Sequence, residues 1–173
     1  DYQTLSYLGL GEKILASFFH SVSTRTAGFN TVAMGAIAPV TATLMILWMF
    51  IGGSPGGTAG GIKTTTIGIL ALALGSLTRN REEVEVFART VSGESVLRAI
   101  AVAFLGGGAV LLVFVLLLVS EAGADYLDVL FEAVSAFGTV GLSRGLTPDL
   151  SVTGQLLIVL LMFVGRTGPL TLA

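Results

Sequence analysis

Val22-Ser23-Thr24-Arg25-Thr26-Ala27-Gly28-Phe29 and Val134-Ser135-Ala136-Phe137-Gly138-Thr139-Val140-Gly141-Leu142 are two readings of one motif, and their spacing organises the whole chain. Thr26-Ala27-Gly28-Phe29 falls on Thr139-Val140-Gly141-Leu142 at a spacing of 113 residues. The same spacing carries Met49-Phe50-Ile51-Gly52 onto Met162-Phe163-Val164-Gly165, and Leu44 and Leu47 onto Leu157 and Leu160. Upstream, Val22-Ser23 pairs with Val134-Ser135 at 112, so one residue is inserted between them. Chance could align the leucines. It does not readily align two glycine pairs, Gly28/Gly141 and Gly52/Gly165, in one register with a Met-Phe pair.

What surrounds the motif gives the unit its shape. Glu12 to Val22 reads as a short helix, with Ile14, Leu15, Phe18 and Phe19 at helical spacing, and Asp125 to Phe137 reads the same way. Each is too short to cross the roughly 30 Å of a bilayer core, which takes about 20 residues. After each loop comes an apolar helix, Pro39 to Ile51 and Gln155 to Val164. Short helix, Thr-x-Gly loop and apolar helix together read as a re-entrant pore hairpin followed by a spanning helix. A cation crossing there must exchange its water shell for other oxygens, which backbone carbonyls can supply without net charge. Glycine suits such a turn because it reaches backbone conformations a Cβ blocks, and the C-terminal end of the preceding helix favours a cation. Thr26, Ala27, Gly28, Phe29, Thr139, Val140, Gly141 and Leu142 are therefore the candidate cation-binding filter, with K+ or Na+ at the Gly28 and Gly141 carbonyls. Ordinary turn glycines are the competing reading.

Composition agrees with a membrane setting. The chain of 173 residues is 53% hydrophobic and only 12% charged, with a mean hydropathy of +0.90. A soluble domain carries about 25% charged residues. Ala99 to Val119 runs without a charge and is the one full-length span. The net charge of −2 and the lack of a basic stripe give no sign of nucleic acid, and the absence of cysteine excludes thiol chemistry, disulfides and thiolate metal sites. The start at Asp1 without Met and the close inside Leu170-Thr171-Leu172-Ala173 lead us to expect a piece of a longer protein.

Between Pro39–Ile51 and Ile62–Leu77 lies Gly52-Gly53-Ser54-Pro55-Gly56-Gly57-Thr58-Ala59-Gly60-Gly61. Two half-length apolar pieces around it read as one broken membrane helix, and such interruptions mark transport sites. With little side-chain bulk, the loop can sit in a pore and move aside as a gate; a passive flexible link is the alternative. Gly52-x-Ser54-x-Gly56 also fits a hydrolase nucleophile elbow, but that turn belongs after a strand, and an apolar helix precedes it here. Gly56-x4-Gly61 nearly spells a phosphate loop, but Ile62 stands where lysine is required. Lys63 and Arg166 are charges beside membrane segments, so each faces a cavity or partner or snorkels to the interface. Arg166 follows Gly165, the counterpart of Gly52, which sets it level with the start of the Gly-rich loop, where its donors could bond loop carbonyls. Arg25 orients the first loop or lies at the outer surface. His20 reads as a packing residue. Asp125, Asp128 and Glu132 either draw cations to the outer mouth or form a solvated helix start.

Arg79, Arg81, Arg89 and Arg98 make the 78–98 segment a cytoplasmic loop by the positive-inside rule, and the 120–154 segment, with Arg144 as its one basic residue, external. The expected organisation is then residues 1–77 as pore helix, filter loop and broken helix of one unit, 78–98 as loop, and 99–173 as a second unit ending at the start of its last helix. The fold class is an all-α integral membrane protein.

These residues resemble the Trk/Ktr/HKT superfamily of cation transporters. Ser23 to Thr31 is similar to the third pore loop of its Ktr-type membrane subunit, Gly52 to Lys63 to the intramembrane gate loop, Ser135 to Leu142 to the fourth pore loop, and Gly165 to Leu170 to the last helix with its gate-associated arginine. The resemblance implies four helix–pore-loop–helix units around one pore, of which this chain holds parts of the third and fourth, and one filter glycine per unit. It implies potassium translocation, with sodium as the alternative ion, in a multi-pass protein of the bacterial plasma membrane. It also implies a homodimer of the full subunit in membrane lipid and a cytosolic regulatory ring that binds a nucleotide, with no cofactor in this chain. A non-transporting membrane scaffold with decayed pore loops is the other reading, and an intramembrane hydrolase at Ser54 a third.

Overall fold

The computed structural model describes residues 4–57, 59–79, 84–86 and 89–168, and five of its six α-helices start at a residue with a local chemical reason to start one. Helix α1 (Leu10–Ser23) starts where the Glu12 carboxylate accepts the Gly9 amide at 2.8 Å. Helix α2 (Pro39–Phe50) opens on Pro39, whose fixed φ suits a first turn. Helix α3 (Thr64–Thr78) follows the Gly-rich loop. Helix α5 (Tyr126–Phe137) is capped by Asp125, whose side chain accepts the Leu127 amide at 2.8 Å. Helix α6 (Val152–Thr167) is capped by Ser151, which accepts the Gly154 amide at 3.1 Å.

The charged 78–98 segment is more ordered than a loop. Strands β1 (Val84–Val86) and β2 (Arg89–Val91) pair antiparallel, with Val84 opposite Val91. Helix α4 then spans Gly93–Ser120, beginning six residues before the expected Ala99, so the 98/99 boundary falls inside it. Ser92 caps it, and the Glu94–Arg98 pair, one turn apart, continues the helical ladder through polar residues. Among the described helices, this one alone is long and apolar enough to cross a membrane. Helix α6 likewise runs past the expected Val164 and takes Gly165, Arg166 and Thr167 into its last turn before Gly168 turns left-handed at φ 84°. Asn80, Arg81, Glu82, Glu83 and Thr58 lie outside the described residues.

The repeat in sequence is a repeat in structure. Short 3₁₀ turns at Met34–Ala36 and Thr147–Asp149 stand 113 residues apart, and α2 and α6 begin at the matching Pro39 and Val152. The two units differ in their surroundings. Helix α5 packs against α2, α4 and α6, and its last turns, from Phe131 to Phe137, are buried. Contact with α6 is so close that a Cβ at Gly165 would stand 1.9 Å from the Phe137 carbonyl oxygen. Helix α1 buries only Ser23 and leaves Leu10, Ile14, Leu15, Phe18 and Val22 exposed.

At the opposite end of the bundle from Gly165, Glu121 ties α4 to α6. Its carboxylate accepts the Ser151 hydroxyl at 2.6 Å and the Ser151 amide at 3.1 Å. Those bonds, the hydroxyl first and the amide second, hold the Glu121 carboxyl below its ordinary range. A lowered folded-state value means that the charged form stabilises the fold. The contribution is full at neutral pH and is lost as pH falls through the lowered value. In thermal unfolding of the full-length protein in detergent, the parent should melt above Glu121→Gln at neutral pH, and the two curves should converge in acid.

Candidate functional site

Both Thr-x-Gly loops start at the C-terminal end of a short helix and turn in the same way. The Ser23 carbonyl accepts the Ala27 and Gly28 amides, each at 3.2 Å; its counterpart Ser135 accepts the Val140 amide at 2.9 Å. This tight return forces Thr26 and Thr139 to left-handed φ values of 69° and 53°, and Gly28 and Gly141 to 72° and 88°. A β-branched residue in that region is a true outlier, costing about 1–2 kcal/mol. It persists only where the surroundings over-determine it. Finding it twice at one repeat position makes it a property of the unit.

The two loops meet. A Cβ at Gly28 would lie 2.3 Å from the Val140 carbonyl oxygen and 3.6 Å from the Gly141 Cα. A Cβ at Gly141 would find its nearest neighbour, the Gly28 Cα, at 3.9 Å. So the candidate residues Thr26, Ala27, Gly28 and Phe29 of one unit and Thr139, Val140, Gly141 and Leu142 of the other form one cluster, with Val140 and Leu142 buried and Phe29 exposed.

Against this cluster lies the Gly-rich loop. Its ends are joined: Ile51 and Ile62 form a parallel bridge, the Gly52 amide donates to the Ile62 carbonyl at 2.8 Å, and the Ile62 amide to the Phe50 carbonyl at 3.3 Å. Gly52, Gly60 and Ile62 are buried, while Ser54, Pro55, Gly56 and Gly57 at the tip are exposed. The Gly60 amide donates to the Thr139 hydroxyl oxygen at 3.0 Å, so the loop touches the left-handed threonine directly. Space there admits no side chain, because a Cβ on Gly60 would come within 2.5 Å of the Thr139 Oγ1. The Gly61 amide donates to the Gly165 carbonyl at 3.2 Å, and the Lys63 ammonium to the Ala59 carbonyl at 2.5 Å. Gly53 accepts the Thr64 amide at 3.3 Å, which completes the stem. A stem held this way is not a loose link between helix halves.

The charges fall into place around the cluster. Lys63 bonds a loop carbonyl, and Arg166 is exposed in the last turn of α6 beside Gly165, whose carbonyl accepts the Gly61 amide. Arg25 lies over the Trp48 ring at 5.1 Å, joining the first loop to α2. His20 has both ring nitrogens satisfied, Nδ1 with the Ala16 carbonyl at 2.8 Å and Nε2 accepting the Thr31 amide at 3.3 Å as the chain leaves the first loop. Glu132 neither lines the outer mouth nor sits in a solvated helix start. It is 5% exposed and accepts the Ser143 and Thr147 hydroxyls. Asp128 pairs with Arg144 at 2.5 Å, and Arg144 also donates to the Ile37 carbonyl at 3.2 Å. Ser143 and Arg144 were missed by sequence reasoning. The signal for them was present, since Arg144 is the lone basic residue between 120 and 154 and falls 113 residues after Thr31. Ser54 stands at the exposed tip after helix α2, without the strand a nucleophile elbow needs.

Comparison with known proteins points one way. A family described as TrkH, cation transport protein, matches residues 1–173. The chain is 39% identical to the Ktr system potassium uptake protein B of Bacillus subtilis, over 97% of this chain and 38% of that protein. It is 39% identical to the potassium/sodium uptake protein NtpJ of Enterococcus hirae, over 92% of this chain and 36% of that one. The crystal structure of the potassium transporter TrkH from Vibrio parahaemolyticus has the same fold, with a TM-score of 0.78 at 21% identity over 93% of this chain and 36% of that chain. The chain thus spans little more than a third of the length of the relatives it matches.

The two glycines differ in what an added methyl group would meet, and that difference is measurable. Gly141→Ala strains only the backbone, at about 1–2 kcal/mol. Gly28→Ala adds a collision with a backbone oxygen, a further 1–3 kcal/mol or so of overpacking. In the full-length protein, Gly28→Ala should lower the thermal unfolding midpoint clearly more than Gly141→Ala; equal midpoints would contradict the loop contact.

Proposed function

The chain belongs to the TrkH family of cation transport proteins, and on that premise we propose that it supplies parts of the third and fourth of four pore units to a membrane pathway for potassium, with sodium as the alternative ion. In this reading Thr26 to Phe29 and Thr139 to Leu142 are two of four filter loops whose backbone carbonyls replace the water shell of the ion, with Gly28 and Gly141 at the coordinating turns. The observation that carries it is the meeting of two similarly turned, strained loops at Gly28 and Val140, each at the C-terminal end of a short helix. Helix ends of that polarity present the equivalent of about half a negative charge, favourable to a cation. A scaffold with decayed loops has no use for two left-handed threonines and is not favoured. The names of the relatives, potassium uptake and potassium/sodium uptake, agree with a monovalent cation as cargo.

Gly52 to Gly61 is the gate in this proposal. It lies against Thr139 of the filter, and its stem is fastened at Gly165, next to Arg166. Lys63 and Arg166 hold the closed arrangement, Lys63 through the Ala59 carbonyl. Exposed apolar positions on α1 await the units this chain does not contain. The working protein is a homodimer of the full subunit in the bacterial plasma membrane, regulated from the cytosol, on the side of the 78–98 segment, by a ring that binds a nucleotide.

Two measurements on the full-length protein in proteoliposomes test the reading. Gly141→Ser places a side chain where the backbone has room for one but must remain left-handed. It should change the carbonyl spacing and reduce the preference for potassium over sodium; an unchanged preference in folded protein would argue against a filter.

The gate makes a prediction of unusual sign. A charge-assisted hydrogen bond contributes about 1.5–3 kcal/mol. Removing one from the closed state by Arg166→Gln should raise the open population by about one to two orders of magnitude. Deleting Pro55 to Thr58 should also raise cation uptake. Uptake equal to or below the parent in both folded variants would show that the loop is not a gate.

A further inference from the structure

The limb of the fourth loop that leaves the filter, Ser143 to Thr147, is held by two carboxyl groups one helical turn apart on α5. Glu132 accepts the Ser143 hydroxyl, and the Thr147 hydroxyl lies 3.0 Å from each of its oxygens. Ser143 in turn accepts the Gly145 amide at 2.9 Å, which sets the turn at Gly145, where φ is 112°. Asp128 takes the Arg144 guanidinium at 2.5 Å. The other arm of that guanidinium reaches the Ile37 carbonyl of the neighbouring unit at 3.2 Å.

Burial of Glu132 is costly unless it is bonded, and its neighbours along α5, Phe131, Ala133 and Val134, are apolar and buried as well. An apolar residue of the same size would pack there at lower cost. What a carboxyl adds is direction, because two hydroxyls from one loop are fixed relative to one rigid helix. The companion unit does the same with different chemistry. His20 occupies the Glu132 position at a spacing of 112, and its Nε2 accepts the amide of Thr31, which stands where Arg144 does at 113. Two side chains of unlike type, at one repeat position, each hold the outgoing limb of their own unit's loop.

We propose that Glu132 is a specificity-setting positioning residue, which fixes the fourth filter loop through Ser143 and Thr147, with the Asp128–Arg144–Ile37 bridge setting its register against the third unit. The proposal rests on the filter reading above. Functional constellations must be held within about 0.5 Å to keep their selectivity, and Ser143 is only two residues beyond Gly141. Glu132 touches no ion; it acts through the loop.

The test uses the full-length protein in proteoliposomes, with potassium and sodium uptake measured separately and thermal unfolding followed in parallel. Glu132→Leu keeps the volume and removes both acceptors. It should lower the potassium-to-sodium uptake ratio by about 10-fold or more, with total cation uptake retained and the unfolding midpoint held or raised. Glu132→Gln keeps an acceptor and should stay within about 3-fold of the parent. Ser143→Ala combined with Thr147→Val cuts the same bonds from the partly exposed side. It should reproduce the Glu132→Leu defect, and adding it to Glu132→Leu should cause no further loss. If Glu132→Leu does not fold, the hydroxyl pair decides alone. A parental ratio in either folded variant, or a parent that carries both ions equally, overturns the proposal. A parent with no cation uptake at all strikes the transport reading instead.

Discussion

A helix that stops inside a bilayer leaves its last carbonyl groups without helical partners, and no water is at hand to replace them. Helices α1 and α5 both stop this way on the membrane reading, at Ser23 and Phe137. The chain solves the problem by turning back at once, so that amides three to five residues on return to the final turns of the helix they have just left. That return is tight enough to push a threonine into the left-handed region in each unit. From this one constraint follow the glycine two residues later, the exclusion of side chains where the loops touch, and the need for bonds from elsewhere to hold the backbone that emerges. His20, Glu132 and Asp128 supply those bonds for the outgoing limbs, and Thr139 passes the connection inward to Gly60.

The broken helix obeys the same accounting. Between α2 and α3 the backbone leaves helical geometry, yet Phe50, Gly52 and Gly53 exchange hydrogen bonds with Ile62 and Thr64 across the base of the excursion, and Gly61 finds the Gly165 carbonyl on α6. Gly165 lies against the Phe137 carbonyl on its other contact, at the end of α5. The loop, α6 and α5 therefore share one small region in which backbone packs on backbone. Larger residues at Gly52, Gly60 or Gly165 would each drive a Cβ to within 2.5 Å of another atom.

Much of this was legible in the sequence because the repeat is a statement about local order. Matched short helices, matched loops and the matched starts of α2 and α6 all follow from one spacing, and the glycines marked where side chains are excluded. The strain at Thr26 and Thr139 was not legible, because threonine has no preference for that conformation and adopts it only under tertiary constraint. Nor was the burial of Glu132. On a 12-residue helix the buried face is set by packing against α2, α4 and α6, which the helix's own sequence does not show. Polarity alone does not end a helix, so α4 starts at Gly93 and not at the expected Ala99. Once nucleated in the apolar run, a helix continues through Arg98 and Glu94 until Ser92 caps it.

The bridge between Ile51 and Ile62 has a consequence for time rather than for shape. An excursion whose two ends are bonded to each other can change its path without altering the distance between the helices it joins. Its rearrangement is then a matter of a few backbone dihedrals at Ser54 to Gly57, with α2 and α3 standing still. Loop motions of that size occur in nanoseconds to microseconds, whereas collective movements of packed helices take microseconds to milliseconds. On the gate reading proposed above, a pathway obstructed by such a loop would flicker many times during one displacement of the surrounding bundle, and its fast and slow interruptions would have separate structural origins.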